Sequence, residues 1–518
     1  MRTAVCLSAS ILFLFVPAPS IADEVPVIKN AATDCAALGA LRLPDVTIAG
    51  AEAKAPAVAD QGRVKVPHCK VTGVIGTEIR FEVLLPDTWN RRFAMGGGGG
   101  FVGSVQNQVE DVVNRGYATA GTDTGHQADG LQAGWALDNP ERQVNYGYLG
   151  VHRTSEVAKA IVRAYYGSDS AYSYFLGCSN GGRQALMEAQ RFPADFDGVV
   201  SGAPAYDFTR IAASFVTHAK ATFPDPANLK TSTVSPTDLA LVASAALDSC
   251  DVADGVKDAV IDQPSSCRFS LDRVKACPND VAAADCLTTA GRAALGRIYA
   301  PIVGPSVEIY PGQPVGGEAD RGGWQVWITG VDPRLLAGSG GRVPSLRHAF
   351  GTEFFKYFVY GDAAWDYRRF DIATWAADTR VVAKVLNADS VDLDAFKRRK
   401  AKLLLWHGWA DPALNAQSTI NYYERLRAAD PQAPDYARLF MMPGVLHCTG
   451  GSGPDSVEWI DAIAAWTEKG TAPERVIASK RGADGSPTRT RPLCPHPQRA
   501  VYNGSGSTDD AANFTCKG

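Results

Sequence analysis

The chain has 518 residues, 46% hydrophobic and 20% charged, with 50 Gly and 31 Pro. This is a globular, loop-rich composition that excludes disordered, collagenous and coiled-coil classes. At roughly 100 to 200 residues per domain, the length suits one large domain plus an insertion. A formal charge of −4, from 51 Lys plus Arg against 55 Asp plus Glu, gives no general attraction for nucleic acid or acidic membranes.

The chain opens with Arg2, an apolar run over residues 4–16, and the small residues Ser20 and Ala22 before Asp23. This pattern predicts a signal peptide over residues 1–22. The run is well short of the ~20 residues that span a bilayer, and no later segment is long and apolar enough, so a secreted or periplasmic protein without a membrane span is expected. Losing Cys6 with the signal leaves ten cysteines: Cys35, Cys69, Cys178, Cys250, Cys267, Cys277, Cys286, Cys448, Cys494 and Cys516. An even number in an exported chain, with no CxxC pair, favours five disulfides over metal thiolates. Their pairing is open at this point.

Short apolar runs bounded by Gly, Pro or Asp, at residues 117–121, 172–176, 198–202 and 402–406, have the pattern of buried parallel strands. Between them, residues 154–166, 182–192 and 457–468 repeat apolar positions at three- and four-residue spacing, as helices do. The alternation predicts a doubly wound, mostly parallel α/β sheet. The rhythm fails over residues 207–390, rich in Pro, Gly, Cys and aromatics, which form the expected insertion. Residues 23–206 and 391–518 are then the two parts of the main domain.

Gly177-Cys178-Ser179-Asn180-Gly181 fits G-x-S-x-G. The motif alone is common, but here it lies between a predicted strand and a predicted helix, the setting of a nucleophile elbow. A serine hydroxyl needs a histidine to take its proton and a carboxylate to orient the imidazole. Asp411, after the run at 402–406, and His447, after the apolar run at 439–442, supply these in the order Ser, Asp, His. His126 and His407 are the rival bases; His407 precedes the acid by only four residues on one loop and is poorly placed. Cys178 adjoins the proposed nucleophile and Cys448 the proposed base, so a contact between Ser179 and His447 brings the two cysteines within reach of a disulfide. The oxyanion of acyl transfer needs backbone N–H donors. Asn180 offers one, and the glycine run at 96–100, after residues 92–95, offers a second at Gly98 or Gly99.

In these features the chain resembles the tannase and feruloyl esterase family of α/β-hydrolases, marked by a Cys-Ser pair and a His-Cys pair joined around a Ser-Asp-His triad. Here these are Cys178-Ser179, Asp411 and His447-Cys448. The resemblance covers nearly all the chain after the signal. It implies an α/β-hydrolase fold with a large inserted lid domain, and disulfides Cys35–Cys69, Cys178–Cys448, Cys250–Cys267, Cys277–Cys286 and Cys494–Cys516. Three carboxylates gather about a glycine at residues 250–260; by spacing alone they are as readily a solvated acidic turn as a calcium loop, since the spacing departs from an EF-hand. The resemblance implies a structural Ca2+ there, with Asp251, Asp254 and Asp258 as side-chain ligands and Val256 and Val260 as backbone carbonyl ligands. No organic cofactor is expected.

An insertion between nucleophile and acid falls over the carboxyl ends of the strands, where α/β ligands bind. Trp324, Trp327, Phe350, Phe354, Phe355, Tyr357, Phe358 and Tyr360 lie in it; most are expected in its core, with the remainder offering apolar surface to an aromatic acyl group. The expected activity is a secreted serine carboxylic ester hydrolase acting on small aromatic esters. Feruloyl (hydroxycinnamoyl) esters come first, then galloyl esters and terephthalate monoesters. A secreted peptidase and a non-catalytic binding module of the same fold are the alternatives outside this class.

Overall fold

The computed structural model describes residues 26–29, 31–55, 63–330, 333–339, 341 and 343–518; the predicted signal at 1–22 lies outside them. Nine strands build the main sheet: β1 (Val46–Lys54), β2 (His68–Ile75), β3 (Ile79–Pro86), β4 (Arg92–Gly96), β5 (Ala118–Thr122), β6 (Tyr172–Cys178), β7 (Gly198–Gly202), β8 (Lys402–Gly408) and β9 (Ala437–Met442). Their spatial order is β1-β2-β3-β5-β4-β6-β7-β8-β9. β1 to β3 and the β3–β5 pair run antiparallel, and the pairings from β5 through β9 are parallel. This is the expected α/β-hydrolase architecture, extended by an antiparallel edge.

Strand side chains alternate between the sheet faces. Phe93, Met95, Phe175, Val199, Leu403, Leu405 and Leu439 join a core with helices Gly150–Tyr166, Asn180–Arg191 and Ala416–Ala429. The intervening Ala94, Tyr174, Leu176, Val200, Leu404 and Phe440 pack with helix Trp459–Lys469 and the C-terminal tail. With apolar residues on both faces, these strands form the continuous apolar runs that the sequence displays.

Between β7 and β8 lie helices Phe208–Thr222, Pro236–Cys250, Thr289–Tyr299 and Leu346–Phe354, joined by long turns. Pro236–Cys250 starts with a capping box, in which Ser235 Oγ accepts from Asp238 N–H and Asp238 accepts from Ser235 N–H. The aromatic core of this segment is shared with the main domain. Phe101, Trp135 and Tyr146, from the loops after β4 and β5, pack with Phe215, Phe354, Phe355 and Phe358. Beyond residue 470 the chain forms two small antiparallel pairs, Val476–Arg481 with Pro487–Leu493 and Arg499–Tyr502 with Phe514–Lys517. All ten cysteines pair as the resemblance implies.

Three of the five histidines buried among the described residues are His126, His218 and His348. His126 stacks on Trp135 at 3.6 Å, His348 meets the ring edges of Phe223 and Tyr367, and His218 lies against Arg347 at 2.6 Å. Burial pushes His126 and His348 down to about 4 and, aided by the Arg347 charge, holds His218 well below its usual value. An unfolded chain takes up these protons near pH 6.5, and folded His126 and His348 only near 4. The contribution of these two is fully present above about pH 6.5 and falls as the pH drops toward 4, by about 1.4 kcal/mol per pH unit for each of them. Denaturant midpoints measured from pH 7 to pH 4 are expected to fall over that window, and His348→Met is expected to flatten the slope.

Candidate active site

β6 carries its backbone hydrogen bonds up to Cys178 and ends in a sharp turn, with Ser179 at φ 66°, ψ −125° directly before helix Asn180–Arg191. A non-glycine residue is strained there and must be held. Ser179 N–H donates to Gly202 O (3.0 Å), and Ser179 O accepts from the N–H of Arg183 and Ala205. The Gln108 side chain accepts from Cys178 N–H (2.8 Å). The turn also needs close backbone approach, since a Cβ on Gly97 would lie 2.5 Å from Gly181 Cα. The serine hydroxyl thus stands at the carboxyl edge of the sheet, beside the positive end of a helix.

The structure brings the three residues picked from the sequence together. His447 Nε2 lies 2.9 Å from Ser179 Oγ, and His447 Nδ1 lies 2.8 Å from Asp411 Oδ2. Asp411 is fully buried; its Oδ1 accepts from the N–H of Ala413 (2.7 Å) and Leu414 (2.9 Å). Burial alone would push the carboxyl up. The positive field of His447, with hydrogen bonds from His407 and His447, outweighs burial and holds it well below the usual carboxylate range. With Nδ1–H facing the carboxylate, Nε2 is left to accept the serine proton. His126 lies elsewhere, its Nε2 2.9 Å from Phe101 O, and His407 contacts Asp411 rather than Ser179. Cys178 and Cys448 are bonded, with Cα atoms 5.9 Å apart.

The expectation that Gly98 or Gly99 donates to an oxyanion is corrected. Gly98 N–H donates to Gln184 Oε1 (3.0 Å) and Gly98 O accepts from Asn180 Nδ2 (3.0 Å), so the helix after Ser179 engages both backbone polar groups of Gly98. Gly99 N–H donates to Gln106 Oε1 (2.8 Å). Gly100, at φ 55°, lines the pocket beside Ser179 and Asn180 instead, and its N–H is unengaged among the described residues. Asn180 occupies the first position of its helix, where a backbone N–H has no intrahelical partner.

The pocket over Ser179 and His447 is lined by Phe208, Ile211, Phe215, Trp327, Phe350 and Leu414, with small residues between. Of the aromatics picked from the insertion, Trp327 and Phe350 reach it, and Trp327 sets its ring edge-on to His447 at 4.9 Å. Trp324, Phe354 and Phe355 are core. Phe208, Ile211 and Phe215, on the helix after β7, were not picked, although their i, i+3, i+7 spacing signals one apolar face. Arg347, on helix Leu346–Phe354, does not line this pocket. It is 1% exposed and donates to Gln313 Oε1 (2.7 Å) beside His218, and Gln313 Nε2–H donates to Asp411 O (2.7 Å).

The acidic segment of the insertion folds as a turn with Gly255 at φ 90°. Asp251 is buried and its Oδ1 accepts from Asp258 N–H; Asp258 Oδ1 accepts from Val260 N–H, and its Oδ2 pairs with Arg491 (2.6 Å). These are hard oxygen donors on a closed turn, a donor chemistry that fits calcium. The side chain of Asp254 lies outside the described part.

A family model for tannase and feruloyl esterase matches residues 64–517. An uncharacterized esterase of Xanthomonas campestris pv. campestris is 36% identical, covering 94% of this chain and 92% of its own. The mono(2-hydroxyethyl) terephthalate hydrolase of Piscinibacter sakaiensis is 32% identical, covering 91% and 88%, and feruloyl esterase B of Aspergillus niger is 30% identical, covering 88% and 87%. The crystal structure of feruloyl esterase B from Aspergillus oryzae shares the fold, with a TM-score of 0.82 at 24% identity over 93% of this chain and 99% of that one.

Cys178–Cys448 closes a 270-residue separation between the residues that adjoin Ser179 and His447. Cross-links over loops of that scale stabilise by about 2–5 kcal/mol. The double variant Cys178→Ala/Cys448→Ala is expected to lose stability on that order in a denaturant titration and to lose ester turnover at temperatures where its circular dichroism is still native.

Proposed function

Because the chain belongs to the tannase and feruloyl esterase family of carboxylic ester hydrolases, we propose that it cleaves hydroxycinnamoyl esters through an acyl-enzyme on Ser179. The observation that carries this reading is the hydrogen-bonded run Ser179–His447–Asp411 opening into a pocket walled by aromatic and aliphatic side chains. Ser179 Oγ attacks the ester carbonyl carbon while His447 Nε2 takes its proton. The oxyanion lies against the N–H groups of Asn180 and Gly100. Collapse of the tetrahedral adduct breaks the bond to the alcohol oxygen, which receives the proton from His447. Water then repeats the sequence on the acyl-enzyme and releases the acid.

The pocket wall also ranks the substrates. Apart from Ser179, Asn180 and His447 its side chains are apolar, and burying an unpaired carboxylate or several unpaired hydroxyls is costly. A hydroxycinnamoyl group meets this wall with fewer polar atoms than a galloyl group, and without the charge of a terephthalate monoester. Five disulfides support an oxidising compartment outside the cytoplasm, in keeping with a secreted or periplasmic enzyme, and no helix among the described residues is long and apolar enough to cross a membrane. In this reading a calcium ion held by Asp251, Asp254, Asp258 and the carbonyls of Val256 and Val260 braces the insertion.

Purified protein incubated with methyl ferulate, methyl gallate and a terephthalate monoester is expected to release ferulic acid fastest, by chromatography. Ser179→Ala is expected to lose at least about 10³-fold in rate. Equal release by the variant would sink the serine mechanism. A chelator is expected to lower the melting temperature and added Ca2+ to restore it, and Asp251→Ala is expected to abolish that response; a melting curve indifferent to both excludes the ion.

A further inference from the structure

The acid of the site has a second histidine on it. His407, the penultimate residue of β8, is fully buried; its Nε2 lies 3.1 Å from Asp411 Oδ2 and 3.2 Å from Leu414 O, and its Nδ1 lies 2.7 Å from Thr419 Oγ1. Both neighbours of Nε2 are acceptors, so Nε2 must carry hydrogen. Thr419 then satisfies Nδ1 by donating its hydroxyl, and the ring is complete as the neutral tautomer without taking a charge into the core.

Resting on the Ser179 reading above, we infer that His407 is a positioning residue for the reaction: as a neutral Nε2–H donor it holds Asp411 Oδ2 where the His447 ring requires it. The terminal torsion of an aspartate is broad. Two backbone N–H groups fix Oδ1, but without His407 the other oxygen would have only His447 to fix it, which is the group that it must itself orient. His407 supplies a reference that does not change when His447 takes and returns a proton. It also draws off part of the carboxylate's charge, so Asp411 stabilises the imidazolium of His447 less than a bare carboxylate would. The other ionisable groups near Asp411 come from the insertion. Tyr310 is held far above its usual value by burial, and Arg347 is lowered by burial to about 10, so neither changes charge between pH 5 and 8.

The test compares steady-state kinetics of wild type, His407→Leu and His407→Gln across pH 5 to 9, with Thr419→Val alongside. The Leu variant is expected to lose about 10- to 100-fold in kcat with little change in KM. The acid limb of its kcat/KM profile is expected to move to higher pH, because the uncompensated carboxylate binds the imidazolium more tightly. Gln, whose amide reaches the Nε2 position, is expected to restore both. Thr419→Val, which frees the tautomer, is expected to change both in the direction of Leu by a smaller amount, and carries the test if Leu does not fold. A folded Leu or Thr419→Val variant with wild-type kcat and acid limb overturns the inference, as does a Gln variant that restores neither. Absence of Ser179-dependent hydrolysis in the wild type instead overturns the reading on which the inference rests.

Discussion

A carboxylate with no exposure to solvent is affordable only when every acceptor site on it is answered, and Asp411 is such a group. Two backbone N–H groups of its own turn and two imidazoles surround it. The donors come from three pieces of local order: the exit of β8 gives His407, the turn after it gives Ala413 and Leu414, and the loop after β9 gives His447. The insertion reaches the same point through Gln313 on the Asp411 carbonyl and Tyr310 on Asn415 N–H. Anything that loosens one of these segments leaves a buried charge short of a partner, so sheet, loops and insertion are coupled through one side chain.

The serine side depends on backbone proximity. Gly97 lies against Gly181, and Gln184 and Asn180 hold the N–H and the carbonyl of Gly98. The glycine run and the helix after Ser179 are therefore one unit, and Gly100 reaches the pocket because the peptides before it are already engaged. Arg183 adds to this unit, fully buried and donating to Asn180 and to the carbonyls of Tyr146 and Gly147.

The parallel strands and the hydrogen-bonded set Ser179, Asp411 and His447 were legible because they follow local rules: apolar runs that end at a loop, a serine between strand and helix, an acid and a histidine at later strand exits. The run at 198–202 coincides with β7, and Ser179 sits in the turn its motif demands. The antiparallel edge carries a weaker signal, in the alternation of Cys69, Val71 and Ile75 and of Phe81, Val83 and Leu85 rather than in a continuous apolar run. Five glycines in a row are indistinguishable until Gln184, 86 residues after Gly98, and Gln106 settle which N–H groups are engaged. Trp327 and Trp324 differ in sequence by three positions and in the structure by the pocket wall and the core. That distinction belongs to the packing of the insertion, which no local pattern encodes. His407 is a rival base to His447 by sequence alone, whereas its contact in the structure is with the acid itself.

The disulfide beside the serine has a topological meaning beyond holding two loops. Cys178 and Cys448 join the chain into a covalent ring that contains the whole insertion, β8 and β9. A protease that clips any exposed turn of the insertion therefore opens the ring without dividing the molecule. The segment bearing the nucleophile and the segment bearing the base stay on one covalent body, held as well by the pairing of β7 with β8.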